Sequence, residues 1–428
     1  MTQAKQLDHR LTTALESRFG RRPLLKAGIG VLALAATAAY HINQRYGDPL
    51  REQRATWERI EGTQEEFIER YAEKFSRMKL GANISPDYRL FVHDLDPEAI
   101  MAFLAEEQGC EHVRLGIRWS TYDEQGIAPY LPYYKAAQKN NIKINTTLPG
   151  PKNPRWPEEH IPTRLVEELQ AIGHFPPPGY LVRAGSPLAV QSIAAAEQFL
   201  NDLEENDINP VLLDYCPVNE LRDAFGRWGL RMDQDFMYEY ADLLNRRAPG
   251  SAVLFNTVGV ALDYPSPLSI CTEYARDFQN EFPSLRFTVG VDFYHQTRYQ
   301  EIDASIDTIS ANKLRYGLLD IPQALATIAL NNLRFEVTEA QKEPWGNRPL
   351  QYPPGTEMHF RYVLARIADQ FVDVVPGMMP DTDYVVRIWG YEDDLVQMRA
   401  EPDYVASNPI FSLIQAVNAL QPEPAPAG

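Results

Sequence analysis

The chain has little of what marks metal, redox or nucleic-acid chemistry. Its 428 residues hold only three cysteines, Cys110, Cys216 and Cys271, an odd number with no C-x-x-C spacing. That argues against a disulfide framework or a zinc site and for buried thiols. The eight histidines form no H-E-x-x-H or similar spacing, so metal catalysis has no support in the sequence. After residue 26 there is no basic block, and 41 basic against 58 acidic residues leave a net charge of −17. A nucleic-acid surface is therefore not expected, whereas a neutral substrate is compatible.

What is present from Lys79 onward is an alternation of short apolar runs with amphipathic helical stretches, the pattern of βα units and a parallel sheet. Eight runs read as strands: 80–85, 112–119, 142–148, 211–218, 252–258, 285–293, 333–339 and 384–389. Helix boundaries support them. Asp96-Pro97 opens one helix and Gly109 closes it, Ser186-Pro187 opens another, and Ser407-Asn408-Pro409 opens the last. The expected fold is a single α/β domain, a (β/α)8 TIM barrel over 79–420, whose strand C-terminal ends form an open functional face. A long proline-rich loop, Pro149 to Gly185, borders that face, either shaping a substrate groove or acting as a rigid cover.

Two apolar runs end in acids. The seventh, L-R-F-E-V-T-E from Leu333, runs out at Thr338-Glu339, and the fourth, V-L-L-D-Y-C-P-V-N-E from Val211, at Asn219-Glu220. Their separation, 339 − 220 = 119 residues, accommodates about three βα units of some 30 residues. Two carboxyls across a barrel mouth suit cleavage of a glycosidic bond, one protonating the leaving oxygen and the other stabilising or attacking the anomeric carbon. Glu336 has opposite strand parity to Glu339 and is expected to point away as a structural acid paired to an arginine.

With Asn219-Glu220, Glu339 and Trp389 at the eighth strand, the chain resembles the clan A retaining glycoside hydrolases, which include cellulases, mannanases and β-glycosidases. That resemblance implies Glu220 as general acid/base, Glu339 as nucleophile, Asn219 as partner of a sugar 2-hydroxyl and Trp389 as a stacking platform. The nucleophile must stay ionised, and Arg118 and Tyr294, at the ends of the second and sixth strands, are the expected neighbours. Trp119, Trp156 and Trp345 are further candidates for sugar contact. Many members carry a histidine two positions before the tyrosine, where this chain has Asp292. The expected function is retaining hydrolysis of β-linked glycans or glycosides, with no metal or organic cofactor. The alternatives are a membrane-anchored, non-catalytic glycan-binding barrel, or a transglycosylase using the same residues.

The N-terminus reads separately. Arg21-Arg22 precedes the alanine-rich run Ala27 to Ala39, whose 13 residues suit a signal h-region and fall short of the about 20 needed to span a bilayer. It resembles a twin-arginine export signal, with Ala36-Thr37-Ala38 as cleavage site, which implies export machinery as a partner and a periplasmic or extracellular location. The alternative is an uncleaved inner-membrane anchor through residues 24–40, with the barrel outside the cytoplasm. A charged helical lead-in, 41–78, connects residues 1–40 to the barrel, and 421–428 (Q-P-E-P-A-P-A-G) reads as a disordered tail.

Overall fold

The computed structural model describes residues 49–87, 90–155, 158–223, 226–258, 267–293, 324, 327–342, 356–369, 384–401 and 403–421. The signal-like segment, Trp156, Tyr294, Trp345 and nearly all of the tail lie outside them. The chain divides into two units, Met1–Glu52 and Gln53–Gly428, and the description concerns the second.

Ten strands occur among the described residues: β1 (Met78–Ile84), β2 (His112–Leu115), β3 (Lys143–Thr147), β4 (Leu181–Val182), β5 (Leu213–Cys216), β6 (Arg231–Met232), β7 (Ala252–Val258), β8 (Arg286–Phe293), β9 (Arg334–Gln341) and β10 (Tyr384–Trp389). Eight of them close into a parallel barrel in the order β1-β10-β9-β8-β7-β5-β3-β2, while β4 and β6 pair only with each other. This is the expected (β/α)8 barrel.

Local chemistry explains the boundaries. Asp96, Ser186 and Asn408 cap their helices through side-chain oxygens that accept backbone N–H groups, each followed by proline in the first turn. The charged lead-in is more than a solvated face. Thr63 and Glu66 form a reciprocal capping box for the helix Gln64–Phe75. Phe67, Tyr71 and Phe75, four residues apart on that helix, are buried in the core shared with the barrel. At about 1.5–3 kcal/mol per buried side chain, that stripe outweighs the solvation of the glutamates on the other face.

The second and fourth expected strands are shorter than their apolar runs, and the expected loop after the third is partly helical. The run from Val211 starts with a 3-10 turn, Pro210–Leu212, because the proline cannot donate into a ladder. The second strand stops at Leu115, and Trp119 opens the helix Trp119–Gln125 with 3% exposure. The proline-rich stretch expected as a loop contains the helix Thr163–Ala171, in the proline-free interval between Pro162 and Pro176.

One correction bears on the site. Val291 pairs with Val337 but Asp292 pairs with Glu339, so the register slips by one residue at a β-bulge at Thr338. Gly290 faces Glu336 and Asp292 faces Glu339. Positions two apart on β8 thus match positions three apart on β9, and Glu336 and Glu339 turn to the same, inner face. The parity argument that sent Glu336 outwards fails because a bulge resets parity. Its pairing holds: Glu336 meets Arg387 Nη1 at 2.5 Å. The bulge depends on Gly290, where a Cβ would meet Thr338 Cγ2 at 2.7 Å and Leu254 Cδ1 at 2.9 Å.

Candidate active site

Glu220 and Glu339 meet at the mouth of the barrel. Glu339 lies near the C-terminal end of β9; Glu220 sits four residues beyond β5, on a turn where its φ is +45°. Glu220, Asp292 and Glu339 are all buried, and each places a carboxylate oxygen within 4.8 Å of the other two. A non-glycine residue in the left-handed region stores of the order of 1–3 kcal/mol and persists only where its surroundings hold it. Here they do: the Glu220 N–H donates to Asn256 Oδ1 at 3.1 Å, and its carbonyl accepts from Lys152 Nζ at 2.9 Å.

The cation beside Glu339 is Arg114, not the expected Arg118. Arg114 Nη1 donates to Glu339 Oε1 at 2.8 Å, and Nη2 to Asn219 Oδ1 at 2.6 Å. Arg118 instead pairs with Asp87, at 3.4 Å. The physical reason is strand parity and reach. Arg114 is inside β2, in register with Asn83 and Asn145, and points across the barrel, whereas Arg118 lies beyond the strand end and turns to the rim. An arginine inside the expected second strand was the available signal, because a charge buried in a barrel requires a carboxylate partner.

Asn219 joins the same network. Its Oδ1 accepts from Arg114 and from Asn256 Nδ2, the latter at 2.9 Å, which fixes the amide's orientation and leaves Nδ2 as the group to offer a ligand. Asn256 Nδ2 also donates to Asp292 Oδ2 at 2.8 Å, and the Thr338 hydroxyl donates to the other oxygen of Asp292. The bulge therefore aims both Glu339 and a hydroxyl into the mouth.

Sequence reasoning missed two further members, Lys152 and Glu158, both buried and both on the segment after β3. Lys152 Nζ donates to the carbonyls of Glu220 and Asp223, each at 2.9 Å, and lies 3.5 Å from Glu158 Oε2. The carboxyls of Glu158 and Asp292 both lie close enough to that of Glu220 to interact with it. Like charges this close disfavour full ionisation of the cluster. Burial, then the charges of Glu158, Asp292 and Glu339, push the Glu220 carboxyl well above its usual range. Burial raises Glu158 to about 7 against the opposing pull of Lys152, and Asp292 to about 6 against Arg114. No periodicity marks a loop acid or lysine, so nothing in the sequence pointed to them.

Trp389 ends β10 beside Asn83, as a platform at the mouth should, but one face of its indole is covered by the Arg155 guanidinium, 4.4 Å from the ring centroid. Arg155 is held there by an ion pair with Glu392, whose Oε1 also accepts from Ser85 N at 2.7 Å. The three carboxylates could in principle take a hard cation, but Arg114, Asn256 and Thr338 already bond Glu339 and Asp292, and a shared proton fits the set as built. Several buried polar atoms around this face have no hydrogen-bond partner, among them Asn83 Oδ1, Ser85 Oγ, Asn145 Oδ1, Thr147 Oγ1 and Glu220 Oε2.

No family model matches the chain, and no curated protein does. Among solved structures it is similar to xylanase 10B of Thermotoga maritima, at 10% identity and a TM-score of 0.46, over 82% of this chain and 97% of that one. An intracellular xylanase of Thermoanaerobacterium saccharolyticum gives 11% and 0.44, over 74% and 88%. Dihydropteroate synthase of Thermus thermophilus gives 12% and 0.35, over 76% and 95%. Likeness this distant carries nothing about activity, and a shared fold does not imply a shared function. The functional reading therefore has to come from the site.

Proposed function

We propose that the chain is a retaining glycoside hydrolase acting on β-linked glycans or glycosides, with Glu220 as general acid/base and Glu339 as nucleophile. One observation carries this reading: two buried carboxyls across a barrel mouth, with oxygens within 4.8 Å, in opposite electrostatic settings. An approach this close between single oxygens is compatible with the roughly 5–5.5 Å between the carboxyl groups of retaining enzymes. Arg114 favours the ionised form of Glu339, as attack on an anomeric carbon requires. Burial among acids favours the protonated form of Glu220, as protonation of a leaving oxygen requires.

In the proposed first step Glu339 attacks the anomeric carbon, the glycosidic bond breaks, and the Glu220 proton passes to the departing oxygen. Glu220, now a carboxylate, then takes a proton from the water that hydrolyses the glycosyl-enzyme. The unpartnered oxygens of Asn83, Ser85, Asn145 and Thr147 are suited to sugar hydroxyls, and Asn219 Nδ2 to the 2-hydroxyl. Export through the N-terminal segment belongs to the same proposal, since a polymeric glycan is met outside the cytoplasm.

The test is turnover of aryl β-glucoside, mannoside, xyloside and galactoside by the full chain, beside Glu339→Ala. Turnover by the wild type, a loss of about 10⁴-fold or more in the variant, and partial rescue by azide with a glycosyl azide product are expected. Polysaccharides bound without cleavage, and no turnover of any aryl glycoside, would replace the enzyme with a glycan-binding barrel.

A further inference from the structure

Residues 149–155 and 158–161 are stitched to the turn that carries Glu220. Asn219 N donates to the Lys152 carbonyl at 3.1 Å, and Lys152 Nζ bonds the carbonyls of Glu220 and Asp223. Glu159 accepts from Trp228 N and from Leu230 N, the latter at 2.7 Å, which fixes the other side. Between these two anchors the backbone is twisted into left-handed conformations at Arg155 (φ +90°) and Glu158 (φ +62°), neither of them glycine. Asn153 N donates to the Glu158 carbonyl at 2.9 Å, and Glu158 N to the Arg155 carbonyl at 2.7 Å, so the twist is locked. Its result is a second left-handed glutamate placed against the first.

We infer that Glu158 is a positioning residue for the acid step: it shares a proton with Glu220 and, ionised beside Lys152, holds the general acid protonated at neutral pH. The inference deepens the glycosidase reading and rests on it for the catalytic consequence. The groups facing Glu220 are Glu158 and Lys152 from this segment, Asp292 from β8, and Glu339 from β9 with Arg114 from β2 bound to it; Asp223 lies further along its own turn, near Glu158. Asp292 and Glu339 have their own hydrogen-bond donors, whereas Glu158 Oε2, among the described residues, accepts no hydrogen bond and has the Lys152 ammonium at 3.5 Å. Glu158 is therefore the acid free to trade a proton with Glu220.

Removing the negative charge at 158 takes away a like charge that disfavours the ionised form of Glu220, so the pKa of Glu220 falls. In Glu158→Gln the alkaline limb of kcat/KM for a nitrophenyl glycoside should move down by about one pH unit, a loss of about 10-fold above the limb. A dinitrophenyl glycoside, whose leaving group needs no proton, should stay within about twofold. Glu158→Asp, which keeps a carboxyl, should fall between. An unmoved limb, or equal losses on both leaving groups, would overturn the inference.

A readout without turnover separates this from the glycosidase reading. The full chain should show a carboxylic-acid C=O infrared band at neutral pH that Glu220→Gln removes. In Glu158→Gln that band should disappear at a lower pH than in the wild type. A band that titrates identically in both refutes proton sharing even if glycosides are cleaved. A shifted band with no cleavage leaves the pair intact and discards the catalytic reading.

Discussion

Glu336 and Glu339 stand three residues apart on one strand, face the same barrel interior, and each meets a buried arginine, Arg387 at 2.5 Å and Arg114 at 2.8 Å. Around Glu336 that is the one ion pair among the described residues, with Arg387 Nε left without a hydrogen-bond partner. Arg387 sits beside Gly81, one layer below the mouth, where the register places Trp389 beside Asn83. Around Glu339 three further acids crowd in, Glu220, Asp292 and Glu158, and several polar atoms lack partners. A buried arginine–glutamate pair is thus weak evidence for a site. An excess of acids over cations, kept at the open end of the strands, is stronger evidence, because the fold carries its cost without a structural return.

The sharpest way to break this comparison is to remove each arginine. Arg387→Met and Arg114→Met each leave a buried carboxylate without its counter-charge, and each should lose on the order of 3–5 kcal/mol in urea titration. Only Arg114→Met should also reduce kcat of the folded fraction, because Glu339 is the acid that needs to stay ionised. Equal effects of both substitutions on kcat would erase the distinction between the two layers.

A smaller effect concerns pH. Carboxyls at the mouth have folded-state pKa values raised above those of the unfolded chain: Glu158 to about 7, Asp292 to about 6, and Glu220 well up. The stability they contribute is complete below the unfolded pKa of about 4 and is lost as pH rises through the folded values. Stability should therefore decline between about pH 4 and 7, by on the order of a few kcal/mol. Glu220→Gln should match the wild type near pH 4 and be the more stable of the two at pH 8, as read from thermal melts. Glu336→Gln should show no such gain at pH 8, since it breaks a satisfied pair. A melting profile of Glu220→Gln parallel to that of the wild type would show that the mouth is not strained by its acids.

Smallest is the bulge. Gly290→Ala places a methyl 2.7 Å from Thr338 Cγ2, and overpacking of this kind costs about 1–3 kcal/mol. If relief comes by straightening β9, Glu339 loses its register with Asp292, and kcat should fall more than the stability loss accounts for. An unaltered kcat would show that the bulge does not set the position of Glu339.

Much of this protein was legible in its sequence. The alternating apolar and amphipathic runs come from the two backbone periodicities, and the caps at Asp96, Ser186 and Asn408 from local hydrogen bonding, so barrel, strand count and helix starts followed from short-range rules. Asn219-Glu220 and Glu339 were legible because polar residues ending apolar strands fall at one face of a parallel barrel. Arg114 in place of Arg118 was a matter of which residue is still inside the strand, and apolar-run length overestimates strand length. The bulge at Thr338, the Arg155 cover on Trp389 and the arrival of Lys152 and Glu158 were not legible at all. Each depends on contacts between residues tens to hundreds of positions apart, and no local pattern encodes such contacts. The sequence alone placed the two acids near the C-terminal ends of their strands; only the closed barrel decided which cations face them, and hence which carboxyl is favoured to keep its proton.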